Sequence, residues 1–221
     1  MAWIALVLAL ILALDGLLLR SGSGKTTALR LAAGFLAPGS GRVTNSFRRT
    51  AFVFQNPRLL PWAGAVENGA FGLKAKGAPR QEREAKAAKL LQRFGFERRE
   101  FEKLPNQLSG GMAQRVSIAP ALTVEPDFLL MDEPFSALDA ALRKEMQELL
   151  RAEVKRAGTA ALFVNHDAVE TVRLADAIMS LSSGRCHAIA AQHAPVLDEA
   201  ESYDAAAALL RRIQGGLLSL N

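Results

Sequence analysis

The composition of this 221-residue chain limits the kinds of protein it can be. Half of the residues are hydrophobic and 22% are charged, which predicts a folded body with a buried core and excludes a disordered chain. The net charge is +5, but the lysines and arginines are scattered among acidic residues, and only 6% of residues are aromatic. We therefore expect no nucleic-acid partner. The single cysteine, Cys186, excludes an internal disulfide and fits the cytosol.

The first segment, Met1 to Leu14, is a run of apolar residues that ends at Asp15. Spanning a bilayer takes about 20 apolar residues, and no basic residue precedes the run as one would in a signal peptide. A buried strand or core helix is therefore the preferred interpretation. An altered gene start is the next alternative, and a membrane anchor is the least favoured.

The elements that follow combine short strands with helices. A helix is predicted from Thr26 to Phe35, and a short strand from Ala51 to Phe54. The segment Arg80 to Phe94 has an amphipathic pattern, with apolar residues at helical spacing among charged ones. Because no strand pattern accompanies it, we expect residues 58–121 to form an inserted helical subdomain.

Strands and helices alternate regularly after Asp127. Apolar strands of this kind are typical of a parallel sheet covered by helices on both faces, so the predicted fold class is α/β, in one domain over residues 1–221. A closing helix is expected from Ala205 to Leu220. The alternating elements are Phe128 to Met131, Ala140 to Arg156, Ala160 to Val164, Ala168 to Leu174 and Ala177 to Leu181.

A glycine-containing loop precedes the first helix and carries the clearest chemical signal. The loop places small residues at a helix N-terminus, where backbone N–H groups close around phosphate oxygens. Lys25 would reach the β- and γ-phosphates, and Thr26 would place a hydroxyl on Mg²⁺. The sequence therefore predicts ATP or GTP binding. The predicted nucleotide-binding residues are Ser21, Gly22, Ser23, Gly24, Lys25, Thr26 and Thr27.

Two adjacent carboxylates follow the strand that begins at Phe128. Ligands of open α/β sheets bind at the carboxyl ends of the strands, where Asp132 and Glu133 are expected to lie. Asp132 suits a Mg²⁺ ligand, and Glu133 suits a general base that polarises the attacking water in phosphoryl transfer. The alternative is a solvated acidic turn.

A third motif, Ser109 to Met112, combines a capping serine with Gly110 and Gly111 at the start of a helix. Such an N-terminus offers free N–H groups and the positive end of a helix dipole to an anion, although a plain N-cap is the alternative. Gln55 and His166 each follow a predicted strand as isolated polar residues.

These motifs, in this order, resemble the nucleotide-binding subunits of ABC transporters from about Leu17 to Leu181. The resemblance implies a P-loop NTPase core of the RecA-like kind. It implies that Gln55 contacts metal, water and the membrane partner, that Ser109 to Met112 cap ATP bound by a second protomer, and that His166 touches the γ-phosphate. Asp139, at the end of the D-loop, would also contact nucleotide.

The resemblance also implies partners and a location. Two protomers would sandwich two ATP molecules with Mg²⁺, and the homodimer would sit beneath integral-membrane permease subunits on the cytoplasmic face of the membrane. A periplasmic solute-binding protein would act indirectly. The segments Phe54 to Trp62 and Leu108 to Arg115 are similar to importers of nitrate, sulfonate and taurine. Trp62 is expected on the permease-facing surface, with core packing as the alternative.

Two residues depart from the family pattern. Leu19 replaces the first glycine of the loop, and Pro120 is expected to kink the signature helix or end it early, because an interior proline removes a hydrogen bond. Trp3 precedes the loop, but it is a weak candidate for stacking on adenine. These departures leave a degenerate nucleotide-binding subunit, with little or no turnover, as the alternative to an active ATPase.

Two other ATPase classes are disfavoured. A chromosome-organising ATPase would carry long coiled coils, and a translation factor would need two such domains in one chain.

Overall fold

The computed structural model describes residues 7–11, 24–136, 138–165, 167–182, 185–191 and 199–218. They form six strands and eight α-helices, with two short 3₁₀ turns at Arg98–Glu100 and Pro105–Gln107. The strands are β1 Val7–Ile11, β2 Thr50–Val53, β3 Phe128–Asp132, β4 Ala160–Asn165, β5 Ala177–Ser182 and β6 Arg185–Ala191. The helices are α1 Lys25–Ala32, α2 Ala65–Gly69, α3 Phe71–Ala75, α4 Arg80–Arg93, α5 Gly110–Thr123, α6 Ala140–Ala157, α7 Ala168–Leu174 and α8 Glu199–Leu218.

The strands follow the order β2-β3-β4-β1-β5-β6. Strand β1 runs parallel to β4, with Val7 opposite Ala161, and parallel to β5, with Leu8 opposite Ala177. Strand β6 runs antiparallel to β5. The predicted α/β fold is therefore confirmed, with an antiparallel edge strand that the sequence pattern missed.

Contacts within the chain define two compact units. The first consists of residues 1–46, 130–133 and 160–221. In this unit α1 contacts β4, α7 contacts β1 and β4, and α8 packs on α7 and β6. The buried side chains Phe163, Val164 and Ile178 form much of its core. The apolar first segment thus contributes a strand, β1, which is one of the two structures that its preferred interpretation included.

The second unit consists of residues 47–129 and 134–159. Helices α2, α4 and α5 contact one another, and α5 also contacts β2. Buried side chains fill this unit, among them Leu91, Phe94, Ile118 and Met146. The helices follow from the apolar spacing seen in the sequence, since Ala87, Leu90 and Leu91 are the buried residues of α4.

One of the two outcomes expected at Pro120, an early helix end, is not observed, because α5 continues past this residue to Thr123. Proline removes one helical hydrogen bond, but burial outweighs that loss here. Ala121, Leu122 and Thr123 are all buried, and the carbonyls of Gly69 and Pro120 share the single hydrogen that the Thr123 hydroxyl donates. Contacts with α2 therefore hold the last turn of α5 in place.

Other predicted boundaries differ from the structure by a few residues. Helix α1 ends at Ala32, and the chain turns at Gly34 with φ of 74°. The closing helix α8 begins at Glu199, six residues before the predicted start at Ala205. Within the described residues, no helix has both the length and the apolar character that crossing a membrane requires.

A cluster of charges joins α4 to α6. The Glu153 side chain is buried and accepts hydrogen bonds from Arg93 and Arg156. Burial by itself disfavours the charged form of Glu153, but the hydrogen bonds from Arg156 and Arg93 outweigh it and lower the pKa of Glu153. Because the folded state favours the charged carboxylate, this cluster stabilises the fold above the carboxyl's unfolded pKa of about 4.3.

We expect Glu153→Gln to lower the free energy of unfolding by about 1–2 kcal/mol near neutral pH, since the two arginines are partly exposed. The difference from the unaltered protein should disappear as the pH falls through the lowered pKa of Glu153. Urea unfolding at several pH values measures both effects. Glu148→Gln, at an exposed position of the same helix, is the control. An equal loss at every pH would contradict the charge-based explanation.

Candidate functional site

The described part of the glycine loop begins at the N-terminus of α1. Gly24 caps this helix with φ of 88°, a left-handed conformation that glycine adopts without strain, and its carbonyl accepts a hydrogen bond from Ala28 N at 2.7 Å. Lys25 and Thr26 therefore lie in the first turn, where helical N–H groups have no partner in the helix itself. Thr27 is exposed beside them.

The paired carboxylates lie where β3 ends. Residues Leu129 to Asp132 of this strand are buried, and Asp132 itself is only 9% exposed. Glu133 then leaves the strand with φ of 44°, a conformation that is strained for a residue with a side chain. Its N–H donates to the carbonyl of Val164 on β4 at 3.1 Å. The turn that carries Glu133 is thus fixed by a hydrogen bond within the first unit.

The first unit brings these two pairs of predicted residues together. The Thr26 hydroxyl donates to Asp132 Oδ1 at 3.1 Å, and Lys25 Nζ lies 3.9 Å from Glu133 Oε1. In each of these two contacts the partners are more than 100 residues apart in the chain. A cation and a hydroxyl at a helix N-terminus therefore face two carboxylates at a strand end.

Asp132 and Thr26 form a donor set that suits a hard divalent cation. Burial raises the pKa of Asp132, while the hydrogen bond from Thr26 opposes this shift, so the charged carboxylate lacks full compensation in the protein alone. Two oxygens 3.1 Å apart have the spacing of neighbouring ligands on one Mg²⁺, at about 2.1 Å each. In the described residues, no group of three acidic, cysteine or histidine side chains could hold a metal. Phosphate oxygens and water would complete the shell.

The signature motif lies in the second unit and starts α5. Ser109 is the N-cap, and its hydroxyl accepts a hydrogen bond from Met112 N at 3.3 Å. A Cβ added at Gly110 would meet no atom of the described residues within 4 Å, whereas a Cβ added at Gly111 would lie 2.2 Å from Leu142 Cδ2. The structure thus explains Gly111 by packing, but it leaves open space beside Gly110.

Gln55 and Asp139 both belong to the second unit. Gln55 is exposed after β2 in the second unit. The Asp139 carboxylate caps α6 by accepting a hydrogen bond from Leu142 N at 3.0 Å, a role that the sequence interpretation did not include. Ser21, Gly22, Ser23 and His166 lie outside the described residues, as do Leu19 and Trp3.

Sequence reasoning missed one contributor to the site. Arg30 lies one helical turn after Thr26, and its charge partly opposes the burial effect on the Asp132 pKa. The spacing of four residues was the available signal, because residues i and i+4 share a helix face.

The sequence profile of the ABC transporter family matches residues 13–136, which is more than half of the chain. The taurine import ATP-binding protein TauB of Yersinia pestis bv. Antiqua (strain Antiqua) is 45% identical over 171 residues. The match covers 74% of this chain and 67% of that relative.

Solved structures that are similar to this chain are also parts of ABC proteins. A dimeric ATP-binding cassette in a post-hydrolysis state, bound to ADP and Pi, matches with a TM-score of 0.68 and 29% identity, covering 84% of this chain and 86% of that one. The structure of cbiO1 from Clostridium perfringens, part of the ABC transporter complex cbiONQ, matches with a TM-score of 0.69 and 28% identity, covering 82% and 75%. The resemblance stated from the motifs is confirmed, and the chain belongs to the ABC transporter family as one of its ATP-binding subunits.

Proposed function

We propose that this subunit hydrolyses ATP to power the import of a small sulfonate of the taurine kind through separate permease subunits. The observation that carries the proposal is the pairing of Lys25 and Thr26 with Glu133 and Asp132. This arrangement offers one cation for phosphate, one oxygen pair for a metal and one carboxylate for a water molecule. The 45% identity with taurine import proteins supports the substrate class.

The phosphates of ATP bind at the start of α1 in this proposal. Backbone N–H groups of Ser21 to Gly24 and of Thr27 surround them, and Lys25 binds the β- and γ-phosphates. Thr26, Asp132 and Gln55 would hold Mg²⁺, which would neutralise phosphate charge. When Lys25 binds the phosphates it no longer contacts Glu133, which lies 3.9 Å from it in this structure. The Glu133 carboxylate can then bind a water molecule.

Glu133 then acts as the general base that polarises the attacking water. Its side chain is 20% exposed, which lets water approach while the turn holds the carboxylate in place. By the family resemblance, His166 would contact the γ-phosphate, and Gln55 would help to hold the metal and the water. Water bonds to the γ-phosphorus and gives a proton to Glu133, while the bond from that phosphorus to ADP breaks. Lys25 and the α1 N-terminus stabilise the negative charge on ADP and phosphate.

Two protomers of this chain complete each site in a homodimer. Ser109, Gly110, Gly111 and Met112 of one protomer cap the ATP of the other, with Asp139 nearby. The open space beside Gly110 supports an approach by a ligand at this point. Residues 58–121 form the helical subdomain that carries this motif, although α5 itself extends to Thr123.

The dimer lies on the cytoplasmic face of the membrane, beneath the permease. Trp62, at 74% relative exposure, belongs to the surface of this chain that binds the permease. A periplasmic solute-binding protein delivers the substrate to the permease from the other side. None of the findings favours the alternative of a degenerate subunit without turnover.

The first experiment measures phosphate release by the purified chain with ATP, in the presence of Mg²⁺ and of excess EDTA. We expect Mg²⁺-dependent turnover, with a kcat of about 1–10 s⁻¹ or lower in the absence of the permease. ATP binding without phosphate release would contradict the proposed activity and favour the degenerate alternative.

The second experiment tests the transported substrate. The chain is reconstituted in proteoliposomes with a permease and a solute-binding protein from the same organism, and ATP hydrolysis is measured with taurine, nitrate or sulfate. Stimulation by taurine alone is expected. Stimulation by nitrate or sulfate alone would contradict the sulfonate assignment while leaving the ATPase assignment intact.

A further inference from the structure

One polar side chain in the core of the second unit has a partner that points to a role in the reaction. Gln114 of α5 is 2% exposed and is among the largest fully buried side chains. Its Nε2 donates a hydrogen bond to the carbonyl of Pro134. Pro134 directly follows Glu133, so this amide holds the peptide next to the proposed base.

Gln114 lies on a helix face that contacts the same segment at further points. Residues 111, 114 and 115 share one face of α5 because they are spaced by three and four. Gly111 fits against Leu142, and the Arg115 guanidinium binds both carboxylate oxygens of Glu145 at 2.9 Å. The first two turns of the signature helix are therefore attached to residues 134–145 through backbone, packing and charge.

Of these contacts, the one made by Gln114 acts closest to the chemistry. An apolar side chain of the same size would fill the core without the cost of burying an amide, so its hydrogen bond fixes a particular backbone position. That position is the carbonyl after a residue in a strained conformation, Glu133 with φ of 44°. A strained turn is held only by its surroundings, and the Gln114 hydrogen bond is one of them.

We propose that Gln114 is a positioning residue for the Glu133 carboxylate, and that it acts through its hydrogen bond to the carbonyl of the next residue, Pro134. The inference rests on the proposed role of Glu133 as the base. It adds that the rate of hydrolysis depends on a donor at position 114. Because Gln114 does not touch nucleotide in this arrangement, its removal should change kcat far more than KM.

The first test replaces Gln114 by methionine, which keeps the length and volume of the side chain but has no donor. We expect kcat for ATP hydrolysis to fall about 10- to 100-fold, because small displacements of catalytic groups have effects of this size. The KM for ATP should change less than about twofold. Steady-state phosphate release gives both constants, and circular dichroism confirms that the variant is folded.

The second test uses Gln114→Glu, whose carboxylate repels the Pro134 carbonyl when charged but donates an O–H bond to it when protonated. Burial raises the pKa of such a carboxyl. The rate of Gln114→Glu relative to that of Gln114→Met should therefore rise severalfold as the pH falls from about 8 to about 6. Circular dichroism at each pH gives the folded fraction, and the rate per folded molecule should still recover, because a purely structural role would change only that fraction.

Gln92→Met and Gln92→Glu are the matched controls, because Gln92 is exposed on α4 of the same unit. Both should hydrolyse ATP like the unaltered chain. If the unaltered chain hydrolyses ATP and Gln114→Met does so equally fast, the inference is overturned while the proposed function stands. A pH-independent ratio between Gln114→Glu and Gln114→Met would also overturn it. Absence of hydrolysis in the unaltered chain would overturn the proposed function and this inference together.

Discussion

Replacing Glu133 by glutamine is expected to lower the rate of ATP hydrolysis by about 10²- to 10⁴-fold, the usual contribution of a general base. The amide keeps the shape of the side chain but cannot take a proton from water. ATP should still bind, because Lys25 and the N-terminus of α1 are unchanged. The affinity should even rise modestly, since Lys25 no longer has a charged partner 3.9 Å away that competes with phosphate.

Glu125→Gln is the matched control for this experiment. Glu125 is the other described residue with a side chain at positive φ, at 50°, and it is exposed in the turn before β3. The two variants make the same chemical change in similar backbone conformations. Phosphate release and equilibrium binding of ATP should separate them, with only Glu133→Gln losing turnover. Hydrolysis by Glu133→Gln at the rate of the unaltered chain would exclude Glu133 as the base.

The two signature glycines are expected to respond differently to alanine. Gly110→Ala adds a methyl group in open space at a helical position, so stability should be unchanged or higher by up to about 1 kcal/mol. ATP hydrolysis should nevertheless fall about 10- to 100-fold, because the methyl group displaces the capped nucleotide. Gly111→Ala should destabilise the chain by about 1–3 kcal/mol, because the new Cβ lies 2.2 Å from Leu142 Cδ2.

A double variant tests the reason for the loss at position 111. Adding Leu142→Ala removes the clashing side chain, so Gly111→Ala should cost much less stability in that background than in the unaltered one. Urea unfolding of the four variants in this cycle gives the interaction energy. Additive effects would show that contact with Leu142 is not why glycine occupies position 111.

The strands of the fold were predictable because they bury continuous apolar runs. Phe128 to Met131 and Ala160 to Val164 needed no tertiary information, and each differs from the observed strand by one residue at its end. Strand β6 was missed because it pairs antiparallel at the edge of the sheet, where its identity depends on the neighbouring β5. Short helices such as α2 depend in the same way on packing rather than on their own periodicity.

The residues of the candidate site could be selected by type from the sequence, but the contacts among them could not. The order of Lys25, Thr26, Asp132 and Glu133 in the sequence identifies a family, whereas which side chain meets which follows from strand order and helix packing. The Gln114 hydrogen bond spans 20 residues and has no local pattern. Pro120 shows the same limit, because propensity predicted an early helix end that tertiary burial prevented.

The φ of 44° at Glu133 means that the residue suited to the proposed reaction is not the residue that would make the fold most stable. Glycine would relieve a strain on the order of 1 kcal/mol at this position, and asparagine would tolerate the conformation better than glutamate does. Selection or design for thermal stability alone would therefore remove the proposed base. A thermostabilised variant of this protein should be screened for turnover at each step, because one of its most accessible stabilising substitutions also removes the proposed base.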